Sequence, residues 1–230
     1  MNLERIADLE RRAQLYAALA DVTRLQILDR LSVGDASASE LGSALGVPSN
    51  LLAHHLKVLE HAGLTRRRRS EGDGRRSYLS LNRDDGPEIV EPPASSAPLA
   101  RPRRVLFVCT ANTARSHLAV ALWRQASPIR ATSAGTHPGE RINPSAAATA
   151  ARHGLALPDV SPRPLEQAAR DGDLIVTVCD RAHEELGGAD WAHWSVPDPV
   201  IRATDAAYDQ AFAEIATRVA ALAPRLHAAS

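Results

Sequence analysis

Residues 105–116 read Val-Leu-Phe-Val-Cys-Thr-Ala-Asn-Thr-Ala-Arg-Ser. This stretch constrains the fold more than any other. Val105 to Val108 form an apolar, β-rich run. Beyond Ser116, Leu118, Ala119, Ala121 and Leu122 recur at helical spacing. The pattern predicts strand, short loop, helix. Cys109 then sits where the strand ends and Arg115 where the helix begins. Amides of a loop that short can converge on one anion, and the helix N-terminus adds partial positive charge. The same field favours thiolate over thiol, so Cys109 is expected to be a nucleophile near neutral pH. Arg115 offers a planar, two-pronged donor for a tetrahedral oxyanion. The loop residues Thr110, Ala111, Asn112, Thr113 and Ala114, with Ser116, complete the expected oxyanion cradle. Asn112 and Ser116 are expected to orient the loop and hydrogen-bond the sulfur; Ser116 also suits a helix start.

From 105 onward strands and helices alternate. Ile129 to Ala134 reads as a strand ending at Gly135. A helix begins at Asn143 or Ser145 and closes at His153-Gly154, and a short one spans Pro164 to Arg170. Asp173 to Val178 is a second apolar strand, Arg181 to Leu186 a helix, and Thr204 to Leu222 a long final helix. Alternation of this kind means a parallel sheet flanked by helices. Its site belongs at the C-terminal strand ends, where both cysteines of the chain, Cys109 and Cys179, fall.

The N-terminal part reads differently. Leu3, Ile6, Leu9, Ala13, Tyr16, Ala17 and Ala20 lie near one face of a first helix. Asp21 caps a second helix, which stops near Gly34. Ser37 or Ser39 opens a third, ended by Gly46, and Pro48-Ser49 a fourth, ended at Gly63. Helix, Leu45-Gly46-Val47-Pro48 turn, helix is a helix-turn-helix. Leu64 to Arg69, the turn Glu71-Gly72-Asp73-Gly74 and Ser77 to Leu81 form a hairpin. Helices followed by a basic hairpin describe a winged helix. The hairpin holds six arginines in eleven residues: Arg66, Arg67, Arg68, Arg69, Arg75 and Arg76. Such a wing suits phosphate contacts or minor-groove insertion; a solvated charged turn is the plainer alternative. On the fourth helix Ser49, Asn50, Ala53, His54 and Lys57 are the candidates for base and phosphate contact. His54 and His55 point to different helix faces, so they are not expected to share a metal ion, and no metal site is expected elsewhere.

Gly86, Pro87, Pro92, Pro93, Pro98 and Pro102, with Ser95 and Ser96, mark an extended linker. The expected division is therefore a winged helix-turn-helix domain over 1–85, mainly α with a β-hairpin wing, a linker over 86–103, and an α/β domain over 104–230. Such a linker permits either independent tethering or docking of the two. Of 27 basic residues only Lys57 is lysine, and the formal net charge is zero. Overall charge therefore implies no nucleic-acid or membrane partner, and any such argument must be local. No apolar run approaches the roughly 20 residues a membrane span needs, and no secretory signal is seen, so a cytoplasmic setting with reduced thiols is expected.

Ala20-Asp21-Val22-Thr23-Arg24-Leu25-Gln26-Ile27-Leu28 and His54-His55-Leu56-Lys57-Val58-Leu59-Glu60-His61-Ala62-Gly63-Leu64 resemble the ArsR/SmtB family of winged-helix repressors over about residues 9 to 83. The resemblance implies a homodimer that binds a palindromic double-stranded operator and releases it when a metal or metalloid binds. The arsenic-sensing members carry cysteines in the third helix; Ser39 to Gly46 has none. The family's last, dimerising helix is not evident after Leu81, so dimerisation would lean on the first helix.

In the second domain, transfer of an oxyanion to a thiolate needs a proton donor. Asp198, fixed between Pro197 and Pro199, is the expected acid; a turn-forming aspartate is the alternative. Cys109 to Ser116, Ser133-Ala134-Gly135-Thr136, Val176-Thr177-Val178-Cys179-Asp180 and His193-Trp194 to Pro199 are similar to the low-molecular-weight tyrosine phosphatase superfamily, in its arsenate reductase branch. The resemblance makes Cys109 the nucleophile, Arg115 the oxyanion arginine, Asp198 the general acid and Cys179 the second thiol of a redox relay. The phosphatase branch commonly has an aromatic after Asp-Pro, and here Val200 stands there. The relay's third cysteine would fall near Leu186 or Gly187, where there is none. Either a Cys109–Cys179 disulfide is reduced directly by a partner, or an external thiol attacks the arsenate adduct. Thioredoxin, glutaredoxin and mycothiol with mycoredoxin are the candidate reductants, mycothiol being suggested by the alanine- and arginine-rich, actinobacterial-looking composition. No bound cofactor is implied. The resemblances together imply a regulator fused to a thiol-dependent arsenate reductase in arsenic resistance. A phosphatase fused to a regulator, and a non-catalytic oxyanion or arsenite sensor, are the alternatives.

Overall fold

The computed structural model describes residues 3–83 and 102–227, which form two compact units. Most of the expected linker and any dimerising helix beyond Leu81 lie outside the described residues.

The N-terminal unit holds α1 (Leu3–Leu19), α2 (Val22–Val33), β1 (Ala36–Ser37), α3 (Ala38–Leu45), α4 (Ser49–His61), β2 (Thr65–Arg69) and β3 (Ser77–Leu81). Local chemistry sets these boundaries. The Asp21 side chain accepts the Arg24 N–H at the start of α2. Ser37 and Glu40 form a reciprocal capping box on α3, satisfying donors the first turn leaves open. Gly46, at φ 65°, ends α3 in the left-handed conformation that a residue without Cβ adopts freely. The hairpin strands pair Thr65 with Leu81 and Arg69 with Ser77. β1, too short for any periodicity to show, joins the other edge of β3. The core comprises Ile27, Leu28, Leu31, Leu41, Leu52 and Leu56 with their neighbours. On α1 the apolar stripe does not face that core: Leu15 and Ala18 are buried, whereas Leu9 and Tyr16 are exposed.

The C-terminal unit is a four-stranded parallel sheet in the order β5-β4-β6-β7. Its strands are β4 (Arg104–Cys109), β5 (Ala131–Gly135), β6 (Asp173–Thr177) and β7 (Ala192–His193). Around it lie α5 (Arg115–Ala126), α6 (Pro144–Arg152), α7 (Leu165–Ala168), α8 (Asp180–Leu186), α9 (Pro199–Arg202) and α10 (Asp205–His227). Val105 to Val108 are fully buried, as expected of a central parallel strand covered on both faces. Helix α5 is buried from Arg115 to Ala121. Phe107, Trp123 and Trp194 pack together at the core. The chain leaves β4 for β5 on one side and returns to β6 on the other. This reversal opens a crevice at the carboxyl ends of β4 and β6, where open α/β sheets bind ligands. Cys109 ends β4, and Cys179 lies two residues beyond β6. Among the described residues no helix is long and apolar enough to cross a membrane.

Candidate active site

The loop from Cys109 to Ser116 turns tightly around its own sulfur. The Asn112 backbone N–H donates to Cys109 Sγ at 3.2 Å, and Ser116 Oγ lies 3.2 Å from the same sulfur. Asn112 has φ 51°, a left-handed conformation that asparagine tolerates better than most residues. Its buried side chain clamps the loop from inside. Nδ2 donates to Ser116 Oγ at 2.8 Å, and Oδ1 accepts the Arg163 backbone N–H at 3.0 Å. The loop also rests on Gly135, the register partner of Cys109. A Cβ built there would lie 2.6 Å from the Thr110 carbonyl oxygen and 3.1 Å from the Asn112 nitrogen. Only glycine fits this approach.

Arg115 is buried, with 7% of its side chain exposed. Nη1 donates to the Val196 carbonyl at 2.9 Å and Nη2 to Asp198 Oδ2 at 2.6 Å. Burial opposes its charge, but Cys179, Asp198 and Cys109 outweigh that and raise its pKa. Asp198 caps α9, its Oδ1 accepting the Val200 N–H at 3.0 Å. Sequence reasoning placed Arg115 and Asp198 in one site without foreseeing that they pair. His117 is completely buried, and burial pushes its pKa down.

Cys179 lies against the same loop. The Thr110 backbone N–H donates to its Sγ at 3.2 Å, and the Thr110 hydroxyl lies 3.4 Å away. Burial raises its pKa against the pull of Arg115. Both thiols are free and buried. Each sulfur thus receives a different backbone N–H of one loop.

Behind Cys179 is a cluster that sequence reasoning did not anticipate. His183, Asp190 and His193 carry donor atoms within 4.8 Å of one another. The two imidazoles stack at 4.2 Å with planes 12° apart. An ion ligated by both would have to lie in both ring planes, because the imidazole lone pair does. Stacked, near-parallel rings share no such point, so the cluster is a hydrogen-bond network as it stands. Only spatial pairing of β6 with β7 assembles it, and no local sequence signal marks it.

In the N-terminal unit, Ser49, Asn50, Ala53, His54 and Lys57 are all exposed on α4, whereas His55 is buried. The two histidines therefore do occupy different faces. His54 and Lys57 also line, with Arg24 and His61, a groove of about 640 Å³ against α1. On the hairpin, Arg67, Arg69, Arg75 and Arg76 are exposed, and Arg66 and Arg68 are half-buried. Arg67 is already engaged, donating to Glu60 at 2.9 Å.

A buried cysteine whose sulfur is ringed by its own loop, with a buried arginine at the start of the next helix, marks the strand ends of this doubly wound α/β domain. Residues 104–230 match the low molecular weight phosphotyrosine protein phosphatase family, and 19–68 match a helix-turn-helix domain family. The chain belongs to the low molecular weight phosphotyrosine protein phosphatase family and joins to that domain a helix-turn-helix domain of regulator type. An HTH-type transcriptional regulator of Bacillus subtilis, YceK, is 36% identical over 80 residues, 34% of this chain and 77% of that protein. Similar solved structures include an arsenate reductase from Archaeoglobus fulgidus, 32% identical with a TM-score of 0.45, covering 52% of this chain and 98% of that one. The tyrosine phosphatase Wzb of Escherichia coli K30 is 22% identical with a TM-score of 0.49, covering 54% and 99%.

Proposed function

We propose that the C-terminal domain is a thiol-dependent arsenate reductase and that the N-terminal domain is a dimeric operator-binding regulator serving arsenic resistance in the cytoplasm. The observation that carries the reading is the placement of two buried thiols on one oxyanion loop. Asn112 donates to Cys109 and Thr110 to Cys179, each at 3.2 Å. Hydrolysis of a phosphate ester needs one sulfur; a second, held at the same loop, provides a route to a disulfide.

Arsenate enters the cradle of loop amides from Thr110 to Ser116 and competes with Asp198 for the Arg115 guanidinium. Asp198, released beside the anion, takes the proton that Cys109 gives up and passes it to the departing oxygen as the sulfur attacks arsenic, so an As–O bond breaks, an S–As bond forms and water leaves. Cys179 then attacks Cys109 Sγ. The S–S bond forms, the S–As pair stays on arsenic, which falls from As(V) to As(III), and the Cys179 proton passes to an arsenic oxygen. The two thiols supply both electrons. An external dithiol or low-molecular-weight thiol of the thioredoxin, glutaredoxin or mycothiol class restores them.

Operator contact is assigned to the exposed face of α4 (Ser49, Asn50, Ala53, His54, Lys57) and to the arginines of the hairpin. The uncovered apolar stripe of α1, with Leu9 55% and Tyr16 49% exposed, supports dimerisation through that helix. Reduction is tested by incubating the protein with arsenate and each thiol system and measuring arsenite. A phosphatase reading is favoured by the family match and by the Arg115–Asp198 pair, which serves ester hydrolysis equally. Fast aryl phosphate hydrolysis without arsenite formation would establish it instead. The exposed Val200 beside Asp198 offers no ring to grip an aryl group.

A further inference from the structure

The buried network behind Cys179 takes part in none of these steps, and counting its hydrogens shows what it holds. Asp190 Oδ2 lies 2.6 Å from Thr177 Oγ1 and 2.8 Å from His183 Nδ1. A carboxylate only accepts, so both donate to it. Hydrogen bonds from these partners hold Asp190 below the usual carboxylate range against its burial, and His193 does the same for Asp180. Thr177 has one hydroxyl hydrogen, now given to Asp190. At 2.9 Å it must therefore accept from His193 Nδ1–H. His193 Nε2 lies 3.1 Å from Asp180 Oδ1 and donates there as well. His193, 2% exposed, thus donates from both ring nitrogens. It bridges the end of β6 and the strand β7 to the first residue of α8. That residue, Asp180, directly follows Cys179, which caps the helix. The peptide carrying the second thiol is pinned on one side by Thr110 and on the other through Asp180.

We infer that His193 is a positioning residue for Cys179: through Asp180 it fixes the start of α8, and so the path of the Cys179 sulfur to Cys109, without touching substrate. The inference rests on the reading of Cys179 as the second thiol. Two conservative substitutions separate positioning from bulk structure. In His193→Gln the amide nitrogen reaches the place of Nε2 and keeps the Asp180 bond. In His193→Asn it reaches only the place of Nδ1 and loses it. Two readouts apply to the full chain: single-turnover disulfide formation after adding arsenate, and iodoacetamide alkylation of each cysteine followed by mass spectrometry. A loss of positioning by about 1 Å slows a reaction step about a hundredfold. His193→Asn is therefore expected to slow disulfide formation by one to two orders of magnitude and to raise Cys179 alkylation severalfold. Cys109 alkylation stays unchanged, and His193→Gln stays near wild type. Equal Cys179 alkylation in wild type and both variants overturns the inference, as does an equal rise in both. Should His193→Asn fail to fold, Asp180→Ala removes the acceptor of the His193 Nε2–H and so cuts the same link. Unchanged Cys179 alkylation there overturns the inference too. If wild type forms no disulfide with arsenate, the redox reading fails, and the alkylation comparison still decides the role of His193.

Discussion

Replacing Gly135 by alanine perturbs the oxyanion loop without removing any polar group of the site. The added Cβ would lie 2.6 Å from the Thr110 carbonyl oxygen, 3.0 Å from Asn112 Cβ and 3.1 Å from the Asn112 nitrogen, where ordinary contact begins at 3.4 Å. Two of these neighbours are backbone atoms and cannot rotate away, so the loop must retreat by about 0.8 Å. The same backbone carries the N–H groups that meet both sulfurs. A displacement approaching 1 Å costs a reaction step about a hundredfold, and overpacking of this kind costs about 1–3 kcal/mol of stability. Calorimetric titration with inorganic phosphate should show at least a tenfold weaker Kd, about 1.4 kcal/mol, together with a lowered Tm. Gly139→Ala is the control: its Cβ would meet the Thr113 methyl group at 2.8 Å, a side chain that can turn aside. Unchanged phosphate affinity and Tm in Gly135→Ala would refute the claim that this glycine shapes the cradle.

Other outcomes follow from the same structure. Asn112→Ala removes the bonds to Ser116 and Arg163 and puts alanine at φ 51°; the strain alone is about 1–2 kcal/mol, so chemical denaturation should show a clear loss of stability. Asp198→Asn removes the proton donor and should slow aryl phosphate hydrolysis or arsenate adduct formation by about 10²–10⁴, measured by single-turnover kinetics. Asp180 and Asp190 have folded pKa values below their ordinary 3.8. Their stabilisation is thus present above about pH 4 and lost as pH falls through the folded values. Acid titration of stability should fall more gently in Asp190→Asn, from a lower starting value. Neutralising Arg75 and Arg76 should reduce the salt dependence of duplex DNA binding by about 0.9 in log–log slope for each phosphate no longer neutralised, read by fluorescence anisotropy.

The parts of the fold written in local sequence were legible. Val105 to Val108 gave a buried parallel strand because both its faces are covered, and of the two serines that could open α3 it is Ser37 that caps it, through a box with Glu40 within four residues. Gly46 and the turn at Gly72 marked ends for similarly local reasons. The strands β1 and β7 were not legible, since two residues carry no period. The apolar stripe of α1 was read correctly as a stripe, but a pattern cannot say what covers it. In the site, the loop was legible because cysteine, asparagine and arginine lie within one turn of chain. The Arg115–Asp198 pair and the Thr177–His193–Asp180 network join residues far apart in sequence or across strands, and only the β6–β7 register makes neighbours of Thr177 and His193.

Most direct is a single-turnover experiment on the reduced 230-residue chain with arsenate and no added thiol, counting arsenite released and thiols consumed. Two thiols on one loop predict one arsenite per chain, with both thiols converted to a Cys109–Cys179 disulfide. Cys109→Ser should give neither product, and Cys179→Ser should stop at the Cys109 adduct. Arsenite formed at the wild-type rate by Cys179→Ser, or none from wild type while aryl phosphate is hydrolysed, would contradict the account.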